Sequence, residues 1–213
     1  MVRIIFISII FSILTLQIIS AQKNTEAEKI ISELLTSAKT SAIKTSFKLI
    51  SLQKKDPIPQ ISSGTFTLKG TKFVLEMEAM KVWFDGKTQW AYVHQSNEVS
   101  ITEPSEKELS ETNPMAILSG FKAKSFIRFS TKVKSNQNYC IELTPKTSQK
   151  DIQKIEVQVN KSNENLFSIK ITNKNGDESV LTLSNYQKGL DINENTFVFN
   201  ALKYKGVTIN DLR

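Results

Sequence analysis

The chain has 213 residues, 39% hydrophobic and 23% charged, with a formal net charge of +7. That length fits one domain whose core can sustain itself. The lysines are scattered and form no basic stripe, so nucleic acid is disfavoured, and a solvated surface with weak attraction to anionic membranes fits better.

Residues 1–21 have the layout of a cleavable secretory signal. Arg3 precedes an apolar run from Ile4 to Ile19, and Ile19-Ser20-Ala21 ends in a small residue suited to cleavage. Ser8, Ser12, Thr15 and Gln17 interrupt the run, which is too short for the ~20 apolar residues of a spanning helix. Gln22 is the expected mature N-terminus, and residues 22–213 the mature domain. Without Arg3 the net charge is +6.

Thr25 to Thr45 has helical spacing, with Ile30, Ile31, Leu34, Leu35, Ala38 and Ala42 on one face. Thr25 and Glu28 have the spacing of a capping box. From Phe47 the period becomes two. Strands are expected around Phe47–Leu49, after a polar loop at Lys54 to Pro59 around Thr65–Lys69, then at Phe73–Glu78, Val82–Phe84, Trp90–His94 and Val99–Ile101. Asp85-Gly86 marks a tight hairpin. Glu103 to Thr112 is polar and acidic and reads as a loop. Asn113-Pro114 opens a short apolar helix closed by Gly120, since Asn suits the cap and Pro the first turn. Strands follow at Phe126–Val133, Tyr139–Leu143, Ile152–Val159, Leu166–Thr172, Ser179–Tyr186 and Thr196–Phe199, with a tight turn at Asn175-Gly176. The fold class expected is mainly β with an α lid (α+β). A curved antiparallel sheet of about ten strands in meander order forms an incomplete, half-open β-barrel covered by the two helices.

Signals for catalysis are sparse, and the chain is not expected to be an enzyme. His94 is the only histidine and has no partner at a ligand spacing, so it reads as a surface residue. Glu76 and Glu78 share a strand face, most simply the solvent face. Cys140 is the only cysteine, which rules out an intramolecular disulfide. It shares a strand face with Glu142 and reads as a bystander. No metal ligand set, phosphate loop or nucleophile elbow appears, and no cofactor is expected.

Large apolar side chains are plentiful and fall on consistent strand faces: Phe47, Leu49, Phe66, Leu68, Phe73, Leu75, Met77, Trp90, Tyr92, Ile141, Leu143, Ile155, Val157, Phe167, Ile169 and Ile171. A filled core and a lined cavity for an apolar ligand both produce this pattern, and periodicity alone does not separate them.

Several segments together resemble the outer-membrane lipoprotein carrier proteins, the LolA family. Asp85-Gly86-Lys87-Thr88-Gln89-Trp90-Ala91-Tyr92 resembles that family's central hairpin. Asn113-Pro114 with Ile117-Leu118 resembles its Asn-Pro helix, and Leu143-Thr144-Pro145-Lys146 its strand end. Phe197-Val198-Phe199 followed by Gly206 to Arg213 resembles its C-terminus. The resemblance implies a soluble periplasmic carrier that binds lipoprotein acyl chains in an apolar cavity and ferries them from inner to outer membrane. The implied partners are acylated lipoproteins, an inner-membrane ABC transporter and, as a further candidate, an outer-membrane receptor, with transient contact at the membrane surface and the carrier a monomer. Phe47, Leu49, Phe66, Leu68, Phe73, Leu75, Met77, Trp90, Tyr92, Met115, Ile117, Leu118, Ile141 and Leu143 are the cavity-lining candidates. Such a carrier suits the physics, because three acyl chains hold on the order of 45 methylenes at about 0.8 kcal/mol each in water.

The alternative is an envelope sensor or interaction module of the same fold that binds lipids or lipidated proteins without transporting them. A hydrolase would need polar groups converging in the groove, and an anchored receptor would need Cys where Gln22 stands. One position departs from the family, which often carries Arg-Pro, its Arg bonding the lid, where this chain has Gly70-Thr71. A more open or differently latched cavity is therefore expected.

Overall fold

A computed structural model describes residues 24–105, 108–109, 113–147 and 151–213, so the secretory signal expected over 1–21 lies outside the described residues. Residues 24–40 form helix α1. Its buried residues Ala27, Ile31, Leu34, Leu35 and Ala38 recur at three- and four-residue steps, as an amphipathic helix on a core requires. The helix is already formed at residue 24, so Thr25 lies within it rather than capping it. It also stops before the expected Thr45, because Ile43 and Thr45 are already paired in the sheet. Their β-branched side chains pack better on a pleated surface than on a helix.

Twelve strands follow: β1 (Ile43–Gln53), β2 (Asp56–Lys69), β3 (Lys72–Met77), β4 (Met80–Phe84), β5 (Gln89–Val93), β6 (Glu98–Thr102), β7 (Ser125–Phe129), β8 (Asn138–Pro145), β9 (Ile152–Asn160), β10 (Leu166–Asn173), β11 (Glu178–Lys188) and β12 (Thr208–Asp211). Helix α2 (Pro114–Lys122) lies between β6 and β7. The sheet order is β12-β6-β5-β4-β3-β2-β1-β11-β10-β9-β8-β7. Two antiparallel meanders, β1–β6 and β7–β11, are therefore joined side by side where β1 pairs with β11. Only β12 runs parallel to its neighbour, β6. The sheet does not close, and β7 and β12 are its edges. This is the half-open, mainly β architecture expected from the alternation, with twelve strands rather than about ten.

The main core lies between the helices and the inner sheet face. Ile31, Leu34 and Leu35 of α1 and Leu118 of α2 meet Phe47, Phe66, Phe73, Ile141, Leu143 and Ile155 there. The outer face carries a second core of Val74, Trp83, Tyr92, Val99 and the fully buried Phe197, with Trp90, Phe199 and Tyr204 packed against it.

Local departures have local causes. Lys54 to Pro59 is not a loop; β1 and β2 run on into a long hairpin whose turn is only Lys54-Lys55. Within the polar stretch 103–112, Ser105 and Glu108 form a reciprocal cap. The Glu108 carboxylate accepts from Ser105 N (2.8 Å) and Oγ (2.6 Å), and Glu108 N donates to Ser105 Oγ (3.4 Å). Asp85 and Gly86 belong to a four-residue connection, in which Asp85 Oδ1 accepts from Lys87 N and Thr88 N (2.9 and 2.8 Å). β7 ends at Phe129, short of Val133. Phe167 does not join the inner face: a register shift between Leu166 and Ser168 turns it outward, 41% exposed. The strand expected at Thr196–Phe199 is a 3-10 turn, Glu194–Phe197, capped by the Asn193 side chain. Its aromatic alternation is used to cross the outer face instead.

Candidate binding cavity

Inner-face residues of β1, β2, β3, β10 and β11, closed on one side by α2, surround a cavity of about 310 Å³. Phe47 and Leu49 come from β1, Phe66 and Leu68 from β2, Leu75 and Met77 from β3, and Met115 and Ile117 from α2. Strand register explains the grouping. Leu49 lies opposite Ser62 and Leu181, and Phe66 opposite Leu75, so every second residue on adjacent strands points to the same side. Ile43, Pro114, Ile169, Ile171, Leu181 and Leu183 extend the apolar wall, and among the described residues the only polar side chains in it are Thr45, Ser62, Ser179 and Tyr186. Burial pushes the Tyr186 phenol up to about 12, so it stays neutral across physiological pH. Among the described residues, the lining therefore presents no charge to an occupant.

Eight of the fourteen sequence candidates line this cavity, and six do not. Phe73 lines a second cavity of about 560 Å³ together with Leu35, Ala38, Gly70, Thr71, Phe84 and Gly120. Met115 lines both cavities. Leu118, Ile141 and Leu143 are packed solid into the core under the helices. Trp90 and Tyr92 sit on the opposite face. Trp90 pairs with Trp83, and the Tyr92 ring packs tilted against Tyr204, centroids 4.5 Å apart. Their alternation is that of a lining strand, and only the C-terminal segment, which covers the outer face, makes the difference. Ile43, Ile169, Ile171, Leu181 and Leu183 were not among the candidates. Ile169 and Ile171 already carried the alternating signal; the pairing of β1 with β11 is what brings them to the cavity.

At the departure from the family, the β2–β3 turn at Gly70, with φ of 64°, abuts the end of α1 and opens onto the second cavity. Lys69 points the other way, as strand parity requires. Its Nζ donates to Glu194 Oε1 (2.6 Å) and to the Ile192 carbonyl (3.0 Å), and Lys72 Nζ donates to Glu194 Oε2 (2.6 Å). The two ammonium groups hold the Glu194 carboxyl down at about 2. These lysines thus fasten the C-terminal segment to the outer face, not the lid. α2 is secured at its ends: Asn113 Oδ1 accepts from Met115 N (2.9 Å), and Lys146 N donates to the Lys124 carbonyl (2.8 Å).

The remaining chemistry-bearing residues lie away from the cavity. His94 is exposed, its Nδ1 donating to the Glu78 carbonyl (2.7 Å). Glu76 pairs with Lys81 (3.0 Å). Cys140 is buried on the outer face near Glu156, and burial raises its thiol above the usual range. Glu142, on the same face, is held below the usual carboxylate range by its hydrogen bond from Arg128 (2.6 Å). Among the described residues, no group of three or more His, Cys, Asp or Glu is placed to hold a metal ion. No described helix is long and apolar enough to cross a membrane.

The model of the family described as "Outer membrane lipoprotein carrier protein LolA" matches residues 18–176. The chain belongs to the LolA family. The match ends in the β10–β11 connection, so β11, the outer-face segment and β12 lie beyond it. No curated protein matches the chain in sequence. Among solved structures, an uncharacterized conserved protein from Thermus thermophilus has a TM-score of 0.58 at 10% identity. It covers 87% of this chain and 99% of its own, and so shows the same fold. A putative outer membrane lipoprotein-sorting protein domain from Vibrio parahaemolyticus has a TM-score of 0.44 at 15% identity, covering 84% of this chain and 99% of its own. The MucA/MucB complex of Pseudomonas aeruginosa matches at 0.45 and 11% identity, over 83% of this chain and 62% of that one.

Proposed function

We propose that the mature chain, residues 22–213, is a soluble monomeric carrier of the periplasm. It takes acyl chains of lipoproteins into the inner-face cavity and moves them from the inner to the outer membrane without catalysing a reaction. The observation that carries this reading is the cavity lining, which among the described residues is an apolar wall broken only by three aliphatic hydroxyls and a neutral phenol. Such a wall binds hydrocarbon through area alone, at about 25 cal/mol per Å² removed from water. Affinity of that kind grows with chain length and is indifferent to headgroup, which suits cargo of varied protein sequence. Family membership supports the same role. An inner-membrane ABC transporter and an outer-membrane receptor are the partners such a shuttle uses.

The test is transfer. Purified mature protein is incubated with spheroplasts that display a lipoprotein, and the supernatant is assayed for a complex of the two. The complex is expected to form and then to give up its lipoprotein to outer-membrane fractions. Binding of soluble acyl probes without release of lipoprotein from spheroplasts would overturn the carrier reading and leave a lipid-binding sensor module.

A further inference from the structure

The β1–β2 hairpin runs past the cavity and, on one side, past β3, while on the other side β11 pairs with β1 as far as Leu52. β3 pairs with β2 only from Gly64 onward, so Asp56 to Ser63 has no strand on that side among the described residues. Leu49 and Ser62 stand at the cavity rim. From Leu49 the arm continues four residues to Gln53, about 13 Å at the strand rise of ~3.3 Å per residue. Its tip is unusually apolar for a surface. Ile58 is 73% exposed, Ile61 58% and Leu52 38%. Ile61 projects to the outer face with Ile50, and Ile58 lies where the β1–β2 register shifts, between the Ser51–Gln60 and Gln53–Asp56 pairs. The exposed Lys54 and Lys55 form the turn.

We infer that this hairpin tip dips into the surface of an anionic lipid bilayer and sets the cavity mouth against it, an inference that rests on the acyl-binding reading above. Three observations select a membrane over another protein strand. First, the exposed apolar side chains come from both strands of the tip, Leu52 from β1 and Ile58 and Ile61 from β2, so immersion of the end buries all three together. Second, Pro57 and Pro59 offer no N–H to an incoming strand, which blunts this free edge as a template for pairing. Third, Lys54 and Lys55, on a mature chain of net charge +6, complement anionic headgroups. The tip carboxylates are turned toward the protein backbone: Asp56 Oδ1 accepts from Ile58 N (3.2 Å), and Asp177 Oδ1 from Lys54 N (2.9 Å). An acyl chain leaving the bilayer would then have only about 13 Å to cover to the rim at Ser62 and Leu49.

The experiment is flotation of the mature protein, free of cargo, with vesicles of phosphatidylethanolamine and phosphatidylglycerol, and with phosphatidylcholine vesicles for comparison. The variants are Ile58→Asp with Ile61→Asp, Lys54→Glu with Lys55→Glu, and Ile58→Trp as a fluorescent reporter. The wild type is expected to float with the anionic vesicles and less so as salt rises. The Asp pair should lower partitioning at least tenfold, the Glu pair several-fold, and the introduced indole should shift to the blue and be quenched by brominated acyl chains. Binding of a soluble fatty-acid probe should be unchanged in all three. Retained flotation of the Asp pair, or an unquenched indole, overturns the inference, as does wild-type self-association that the Asp pair abolishes. Failure of the fatty-acid probe to bind wild type would instead strike at the acyl-binding reading, because flotation is read without cargo.

Discussion

Replacing Leu75 with Glu separates a cavity from a packed core. Leu75 lies on β3 opposite Phe66 and Val82, half-buried, with its side chain in the cavity wall. In the empty protein the new carboxylate can keep water in the cavity, so the folding cost is about 1–2 kcal/mol, typical of a substitution that buries no unpaired charge. An acyl chain in the cavity would expel that water. Binding then loses the contact of three or four carbons, about 2–3 kcal/mol. It also strands a carboxylate without a partner, which protonates rather than stay charged. The sum is a loss of roughly 3–5 kcal/mol, or about a hundred- to several thousand-fold in affinity at neutral pH. Fatty-acid titration by calorimetry reads the affinity, and urea unfolding reads the stability. Binding should recover as pH falls, because the complex favours the neutral acid. Unchanged affinity in a folded variant would place the ligand elsewhere. Destabilisation of about 4 kcal/mol or more would mean that Leu75 sits in solid core and that the cavity reading is wrong.

Three further perturbations probe the rest of the molecule. Phe197→Ala removes the centre of the outer-face core and should lower stability by about 3–5 kcal/mol in urea unfolding while leaving fatty-acid affinity within twofold. Glu194 has a folded pKa of about 2, below its unfolded value, so the stability it provides is present above ordinary carboxylate pH and is lost as pH falls from about 4.5 toward 2. Thermal unfolding of Glu194→Gln should therefore match wild type more closely at pH 2.5 than at pH 6. Tyr186 has its pKa raised to about 12, so its contribution is complete below pH 10 and is lost as pH rises toward 12. Ultraviolet titration should show a phenol ionising near pH 12 that Tyr186→Phe removes.

What the sequence revealed and what it hid follow from the range of the interactions. The amphipathic face of α1, the Asn113 cap of α2 and the alternation of β8 to β11 are local patterns, legible because period and capping are set by near neighbours. The Phe47–Phe66–Leu75 wall could be read because adjacent antiparallel strands share parity. Alternation puts Trp90 and Tyr92 on the wrong side because both faces of β3 to β5 are apolar. One is covered by helices and the other by a segment that begins about a hundred residues later, and no local pattern says which cover goes where. The same distance hid β12, four residues whose parallel partner is β6. The Ser105-Glu108 cap was legible in principle, since Ser-x-x-Glu is its sequence signature, but the surrounding charge masked it.

The seam between β1 and β11 bears on the order of assembly. Each meander consists of hairpins between neighbours in sequence, and such hairpins close in about 1–10 μs. The seam instead brings Phe47 to Leu183 and Leu49 to Leu181, closing a loop of most of the chain, and the cavity wall spans that join. Half of the wall therefore cannot exist until the last long strand arrives. Non-local pairing of this kind slows folding, so the binding function matures in the final step. Substitutions at Phe47 or Leu183 should slow refolding more than those in the β4–β5 hairpin, and a chain interrupted before β11 would hold its first meander with the acyl-facing surface bare to water.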